Sequence, residues 1–275
     1  MKRMITIQDI SCMGKCSLTV ALPIISAMGT EACVIPTAVL SNHTAFDSFT
    51  FCDLTEEIPP IAETWKNQGE DFSCIYTGYL GSERQLSIVS DFIDSFGNNA
   101  LVFIDPVMGD FGKLYSGFDE GFAKKMAELC KKADVIVPNM TEACYLLGEP
   151  FRDVTGEDET KDILRRLCLL GAKKAVLTGI VPCEGMMGAV MYDSERDEFF
   201  SHFAKRTNKT FHGTGDVFAS ACVGGLCRGM TLEESLTLAV DFTAECARIT
   251  LEDPDARWYG VNFESAIPWL CEKMK

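Results

Sequence analysis

The chain has 275 residues, 47 % of them hydrophobic, and a formal net charge of −15. That is enough apolar material for one large α/β core, while no apolar run reaches the roughly 20 residues of a membrane span. The acidic balance repels nucleic acid and anionic lipid, which removes both from the expected partners; a nucleotide bound here needs local donors and a divalent cation.

Thirteen cysteines and three histidines are present. The odd cysteine count does not suggest a disulfide framework, and no CxxC occurs. Cys12 and Cys16 are four apart and Cys222 and Cys227 five apart. Neither spacing suits a zinc knuckle, so the thiols read as reduced core residues. The N-terminus, MKRMITIQDIS, has no long apolar segment or cleavage site of a secretion signal, and a cytoplasmic location is expected.

Residues 4–10, MITIQDI, form a short apolar strand ending near Asp9. From Lys15 to Met28 the apolar residues recur at helical spacing, and Gly29 stops the segment. Residues 32–36 read as a second strand, and 37–52 as a polar and aromatic loop long enough to be functional. A helix follows over 59–68, then the strand FSCIYTGYLG, the amphipathic helix SERQLSIVSDFIDSF and the apolar strand ALVFIDPVMGD. The helix GFAKKMAELCKKA, the strand DVIVPN and the short helix TEACYLLG come next, then the helix EDETKDILRRLCLLGA and the strand KKAVLTG. GAVMYDSERDEFFSHF reads as a β-hairpin with its tip at 193–197, followed by a loop over 204–212 and three helices.

Strands alternating with helices, and reading as continuous apolar runs, predict a mostly parallel sheet covered on both faces. The expected fold class is therefore α/β, a three-layer α/β/α arrangement. No linker, repeat or low-complexity tract divides residues 1–275, so one domain is expected. Ligands of such sheets bind beyond the carboxyl ends of the strands. That selects Asp9, the 41–46 loop, Tyr79, Asp105, Asp110, Asn139, Glu142 and Thr178 as candidate site residues.

Gly213-Thr214-Gly215-Asp216 opens a small-residue apolar run that ends at Gly229. A Gly-Thr-Gly turn at the start of a buried helix aims several N–H groups at one spot, where the helix dipole adds positive character. Asp216 puts a carboxylate beside that anion site, as transfer of a phosphoryl group to a hydroxyl requires. Asp105 and Asp110 end one strand, Asn139 and Glu142 the next. Carboxylates so gathered repel unless a cation separates them, and Mg²⁺ held by one or two of them and by phosphates is the natural one. Asn139 and Glu142 also fit an N-terminal helix cap, and both readings stand. There is no GxxxxGK[ST] loop, no GxGxxG after the first strand and no GxSxG elbow, which excludes the Walker, dinucleotide-binding and hydrolase patterns.

SNHT in the early loop, TGY before a helix, DPVMGD, PNMTE and GTGD occur in that order. The set resembles the ribokinase-type small-molecule kinases, and within them the pyridoxal kinases, over residues 4 to about 250. The resemblance implies a ribokinase-like fold and ATP-dependent phosphorylation of the 5′-hydroxymethyl group of pyridoxal, pyridoxine or pyridoxamine. It implies Asp216 as the base and Gly213, Thr214 and Gly215 as the anion hole. It further implies Asp105, Asp110 and Glu142 around Mg²⁺ and the nucleotide phosphates. Asn139, Thr178, Gly179, Arg206 and Thr207 fall at nucleotide-contacting positions, and Thr44 and Tyr79 around the vitamin ring; His43 is a substrate candidate from its place in the long loop, beside its reading as a hydrogen-bonded structural residue. A homodimer, and a monovalent cation such as K⁺, are also implied. The chain departs from the family at Asp9, where the family has a Ser contacting the ring, at Met13, where it has an aromatic, and at Gly179, where a Ser or Lys is common. These departures bear on substrate preference. Hydroxymethylpyrimidine (phosphate) kinases are close relatives, but commonly carry Cys at the position of Asp216 and lack the SNHT loop. A sugar kinase would need an early GG-rich loop. A non-catalytic vitamin binder on the same fold is the alternative of another class.

Overall fold

Strands that are apolar at every position need cover on both faces, and the helices of this chain supply it. The structure is a computed structural model that describes residues 2–153 and 156–275. In chain order, β1 (Arg3–Ser11), α1 (Leu18–Ala27), β2 (Glu31–Leu40) and β3 (Phe51–Asp53) precede α2 (Ile58–Asn67), β4 (Cys74–Thr77), α3 (Glu83–Phe96) and β5 (Leu101–Ile104). A hairpin of β6 (Gly109–Asp110) and β7 (Lys113–Leu114) leads to α4 (Glu120–Cys130), β8 (Val135–Ile136), α5 (Met140–Leu146) and α6 (Glu157–Leu169). Then come β9 (Lys174–Ile180), β10 (Met186–Asp193), β11 (Glu198–Lys205) and the helices α7 (Thr214–Arg228), α8 (Leu232–Glu252) and α9 (Phe263–Lys273).

The large sheet has the order β11-β10-β9-β8-β5-β4-β1-β2-β3. Its six central strands are parallel, and β3, β10 and β11 add antiparallel edges. Alternate residues of each strand enter different cores. Ile5, Ile7, Ile75, Val102 and Ile104 pack under α2 to α6. Met4, Tyr76, Phe103 and Val176 pack under α1 and α7 to α9. This is the expected three-layer ribokinase-like α/β fold. Because β2 and β4 lie on opposite sides of β1, the connections diverge there, and a crevice opens beyond the strand ends between β1 and β4.

Three local expectations are corrected. β2 continues past residue 36 to Leu40, so the connecting loop begins at Ser41. Pro36 does not end it, because β3 pairs only with residues 38–40 and the outer edge of β2 beside Pro36 is unpaired. α1 starts at Leu18, not Lys15, because Lys15 and Ser17 have positive φ (50° and 51°) and cannot join a helix. The strand read over ALVFIDPVMGD ends at Ile104, and residues 109–114 form a separate hairpin, with Phe111 and Gly112 both at positive φ.

Gln85 ties α3 to the β2–β3 edge that frames the long loop. Its Nε2 donates to Thr37 O (3.0 Å) and Thr55 Oγ1 (2.8 Å), and its Oε1 accepts from Gly81 N (2.7 Å). Gln85→Ala strips partners from buried groups and is expected to cost about 2–3 kcal/mol in denaturant unfolding. A loss below 0.5 kcal/mol, roughly that of an ordinary surface change, would show that the network does not hold this edge.

Candidate active site

The floor of the crevice is built on a bulge. Gln8 pairs with Pro36 but Ile10 with Val39, so two residues of β2 oppose Asp9 alone. Bulges re-aim side chains, and Asp9 is buried, at 4 % exposure. Ser11 Oγ donates to Asp9 Oδ2 (3.0 Å), and the nearby Ser17 side chain also favours the charged form. Burial still dominates and raises the Asp9 carboxyl above its ordinary value. Its charge also acts on Asp216, Cys16, Tyr79 and His43, so these groups lie within electrostatic reach of it.

The opposite wall is the start of α7. Gly213 is its N-cap, in the left-handed conformation (φ 78°), and an added Cβ would stand 2.2 Å from Lys15 O. Only glycine meets both demands. At Gly215 an added Cβ meets nothing within 4 Å, so this position opens on the cleft. The N–H groups of the first turn have no intrahelical partner and are available to an anion at this helix end. Asp216, in that turn, is half-buried. Desolvation pushes its carboxyl up to about 7; a Ser17 backbone hydrogen bond lowers it and the charge of Asp9 raises it further. Ser17 therefore serves both carboxylates, through its side chain to Asp9 and its backbone to Asp216.

The third wall comes from the ends of β5 and β8. Asn139 and Glu142 form a capping box on α5: Asn139 Oδ1 accepts from Glu142 N (3.0 Å), and Glu142 Oε2 accepts from Asn139 N (2.9 Å). Glu142 Oε1 accepts from Met108 N (3.2 Å), and Asn139 Nδ2 donates to Gly109 O (2.9 Å). The cap thus clasps the β6–β7 hairpin, to which Thr141 Oγ1 adds a bond from Gly112 N (2.9 Å). Capping and site-building use the same two residues. Asp105 is buried, and desolvation and the charges of Glu142 and Asp216 raise it far above the carboxylate range. Burial pushes Glu142 up to about 8 against its backbone bonds.

Among the described residues no three His, Cys, Asp or Glu side chains converge as a metal-holding group. The three carboxylates of the expected set, Asp105, Asp110 and Glu142, differ in their surroundings. Asp110 is exposed on the hairpin, where its Oδ1 accepts from Phe111 N (2.8 Å), and both Glu142 oxygens are engaged by backbone. Asp105 is the carboxylate without such bonds, and the mutual repulsion of the buried pair fits a cation held by one or two carboxylates and completed by phosphate oxygens.

His43 is buried with both ring nitrogens committed. Nδ1 accepts from Ala45 N (3.1 Å), so Nε2 carries the proton toward Tyr259 O (3.1 Å). Desolvation lowers its pKa, and its ring sits among Phe46, His212 and Trp258 at centroid distances of 5.0, 5.4 and 5.9 Å. It holds the loop, while exposed Thr44 next to it stays free. Tyr79 follows β4; its phenol is raised to about 12 by burial and by Asp9. Thr178 lies inside β9, bridged to Asn139. Gly179, at φ 73°, is the extra residue of a bulge, since Ile180 pairs with Gly188 and Thr178 with Ala189. Arg206 and Thr207 follow β11: Arg206 N donates to Gly185 O (2.8 Å) and Thr207 Oγ1 to Lys209 O (2.9 Å). Among the described residues no hydrogen bond or ion pair links these two to the carboxylates.

Two neighbours of the site escaped the sequence reading. Ser17 could have been found as a serine just before an apolar helical run. Tyr115, whose phenol is raised by burial and then by the charges of Glu142, Asp110, Asp216 and Asp105, had no such signal.

A parallel sheet with a glycine-capped helix start, a half-buried carboxylate in its first turn and a second acidic wall is the arrangement expected of a ribokinase-like small-molecule kinase. Residues 22–256 match the phosphomethylpyrimidine kinase family, and the chain belongs to it. A provisionally named phosphomethylpyrimidine kinase from Bacteroides thetaiotaomicron, solved with pyridoxal, is 40 % identical, with a TM-score of 0.93 over 98 % of this chain and 95 % of that one. Pyridoxal kinase from Lactobacillus plantarum is 30 % identical, with a TM-score of 0.90 over 99 % of this chain and 98 % of the other. The hydroxymethylpyrimidine/phosphomethylpyrimidine kinase of Aquifex aeolicus is 28 % identical over 70 % of this chain and 74 % of its own length.

Proposed function

We propose that this kinase transfers the γ-phosphoryl group of ATP to the 5′-hydroxymethyl group of a B6 vitamer: pyridoxal, pyridoxine or pyridoxamine. The observation that carries the reading is Asp216, half-buried beside the Gly213–Gly215 turn with Asp9 within electrostatic reach across the crevice. A heteroaromatic ring whose nitrogen faces Asp9 presents its hydroxymethyl arm to Asp216. Asp216 takes the hydroxyl proton, the oxygen bonds to the γ-phosphorus, and the bond to the β-phosphate oxygen breaks, releasing ADP. The first-turn amides of α7 neutralise charge on the group in transfer. Asp105, with Glu142 and Asp110 around it, would hold Mg²⁺, which supplies charge neutralisation at the phosphates. Asn139, Thr178, Gly179, Arg206 and Thr207 line the nucleotide, and Thr44 and Tyr79 the ring. A cytoplasmic homodimer helped by a monovalent cation completes the proposal.

The pyridoxal complex of the Bacteroides relative and the Lactobacillus pyridoxal kinase support this substrate. The family match and the Aquifex relative favour a second reading, hydroxymethylpyrimidine or its phosphate as acceptor. The panel that separates them is kcat/KM for the three vitamers, hydroxymethylpyrimidine and its phosphate. A vitamer is expected to lead; a pyrimidine in first place would overturn the B6 assignment. Asp9 is expected to pair with a protonated ring nitrogen, a charge-assisted bond. Asp9→Ser should then change the ratio between the best two substrates by about ten-fold. An unchanged ranking and ratio would remove Asp9 from ring recognition.

A further inference from the structure

Among the described residues, six buried side-chain atoms lack a hydrogen-bond partner, and three of them belong together: Gln8 Oε1, Tyr76 Oη and Ser220 Oγ. All three residues are fully buried, and the Ser220 and Gln8 side chains both act on the Tyr76 phenol, although none of the three atoms completes a hydrogen bond. Gln8 Nε2 donates to Thr6 Oγ1 (2.8 Å), and Thr6 is the register partner of Tyr76 across β1 and β4. The Gln8 side chain fills its slot tightly: a Cβ on Gly78 would lie 2.8 Å from Gln8 Cδ and Oε1. This explains the glycine between Thr77 and Tyr79.

The location is as telling as the chemistry. Ser220 stands one helical turn below Asp216 on the same face of α7. The Tyr76 phenol is raised mainly by burial and then by the charges of Asp105 and Asp216, so it lies within reach of both walls of the crevice. The group belongs to an apolar layer: Tyr76 is a member of the core under α1 and α7 to α9, and Phe103 packs on its ring. Phe at 76 and Ala at 220 would fill the same space without burying poorly paired hydroxyls, and packing alone would favour them. The polar groups therefore serve something other than core stability.

We propose that Tyr76, acting through Ser220 and Gln8, is a positioning residue that holds the first turn of α7, with Asp216 and the anion-binding amides, in register with the strand end carrying Asp105. The inference rests on the kinase reading above. The Tyr76 ring packs edge-on to Phe103 (5.6 Å), and Phe preserves that contact. For Tyr76→Phe, kcat should fall about ten-fold with KM for nucleotide and acceptor within about two-fold, since a small misplacement of a reacting group acts on turnover. The thermal midpoint should stay level or rise, and hydrogen exchange at the amides of Asp216–Phe218 should quicken. Ser220→Ala, which keeps a helix-favouring residue, should reproduce the kcat loss, and the double variant should lose less than the product of the two. Unchanged kcat and exchange in Tyr76→Phe, or full multiplicativity in the double variant, would overturn the proposal. If the wild-type protein phosphorylates nothing in the panel, the substrate reading has failed, and the exchange measurement alone decides the positioning role.

Discussion

Asp216→Asn is expected to abolish phosphoryl transfer, with kcat down by about 10³–10⁴-fold, the range associated with loss of a general base, while nucleotide affinity stays close to that of the wild type. Asn keeps the volume and the Ser17 contact but cannot accept the hydroxyl proton. The same assignment fixes a pH profile. Burial holds a proton on Asp216 up to about 7, with the Asp9 charge adding to it. The base works only when deprotonated, so kcat falls below pH 7, by about ten-fold per pH unit on the acid limb. Replacing Asp9 by Ser removes a charge that raises the Asp216 pKa, and the limb should move to lower pH. A stopped assay from pH 5.5 to 9 reads both effects. Retention of a tenth or more of the wild-type kcat, about what a neighbouring non-essential group would leave, would exclude Asp216 as the base.

Much of the fold was legible because parallel strands buried on both faces show as unbroken apolar runs, and β1, β4, β5 and β8 each lead to a helix. The site was legible where function and local structure need the same residue. Gly213 through Asp216 read as a helix start, and Asn139 with Glu142 as a cap, and both readings hold in the structure. What stayed hidden depends on long-range pairing. The bulge that turns Asp9 into the crevice exists only in the register of β1 against β2, some 30 residues apart in sequence. The β6–β7 hairpin was missed because its turn is Phe111-Gly112, where an Asn-Gly pair would have signalled positive φ. The Tyr76 cluster was invisible because β4 reads as a plain buried strand, and nothing in CIYT says that Ser220 lies opposite. His43 shows the converse. Its place in the loop suggested substrate contact, yet its two nitrogens are spent on Ala45 and Tyr259.

Gly213→Ala is expected to lose both activity and stability, and Gly215→Ala activity alone. The two glycines lie two residues apart in one turn but face different surroundings. An alanine at 213 has to keep φ near 78°, at about 1–2 kcal/mol, and its Cβ would overlap Lys15 O at 2.2 Å. That oxygen is backbone in a segment already held at positive φ at Lys15 and Ser17, so it cannot move alone. Shifting it carries Ser17 along, and Ser17 lies close enough to Asp9 and Asp216 to favour the charged form of both. A displacement of order 1 Å there should lower kcat by about 100-fold or more, and denaturant unfolding should show a loss of about 2–3 kcal/mol. At Gly215 the added methyl meets no protein atom within 4 Å, so the fold should be unaffected. It would instead occupy the space in front of the first-turn amides, where the transferring group has to approach, and turnover should fall by about 10²-fold, as when one donor of an oxyanion site is lost. Unfolding midpoints and kcat for the two variants side by side make the check. If Gly215→Ala turned over at the wild-type rate, the phosphoryl group would have to lie elsewhere. If Gly213→Ala matched the wild type in both measurements, the contact between the helix start and the strained Gly14–Ser17 segment would not be what aligns the two carboxylates.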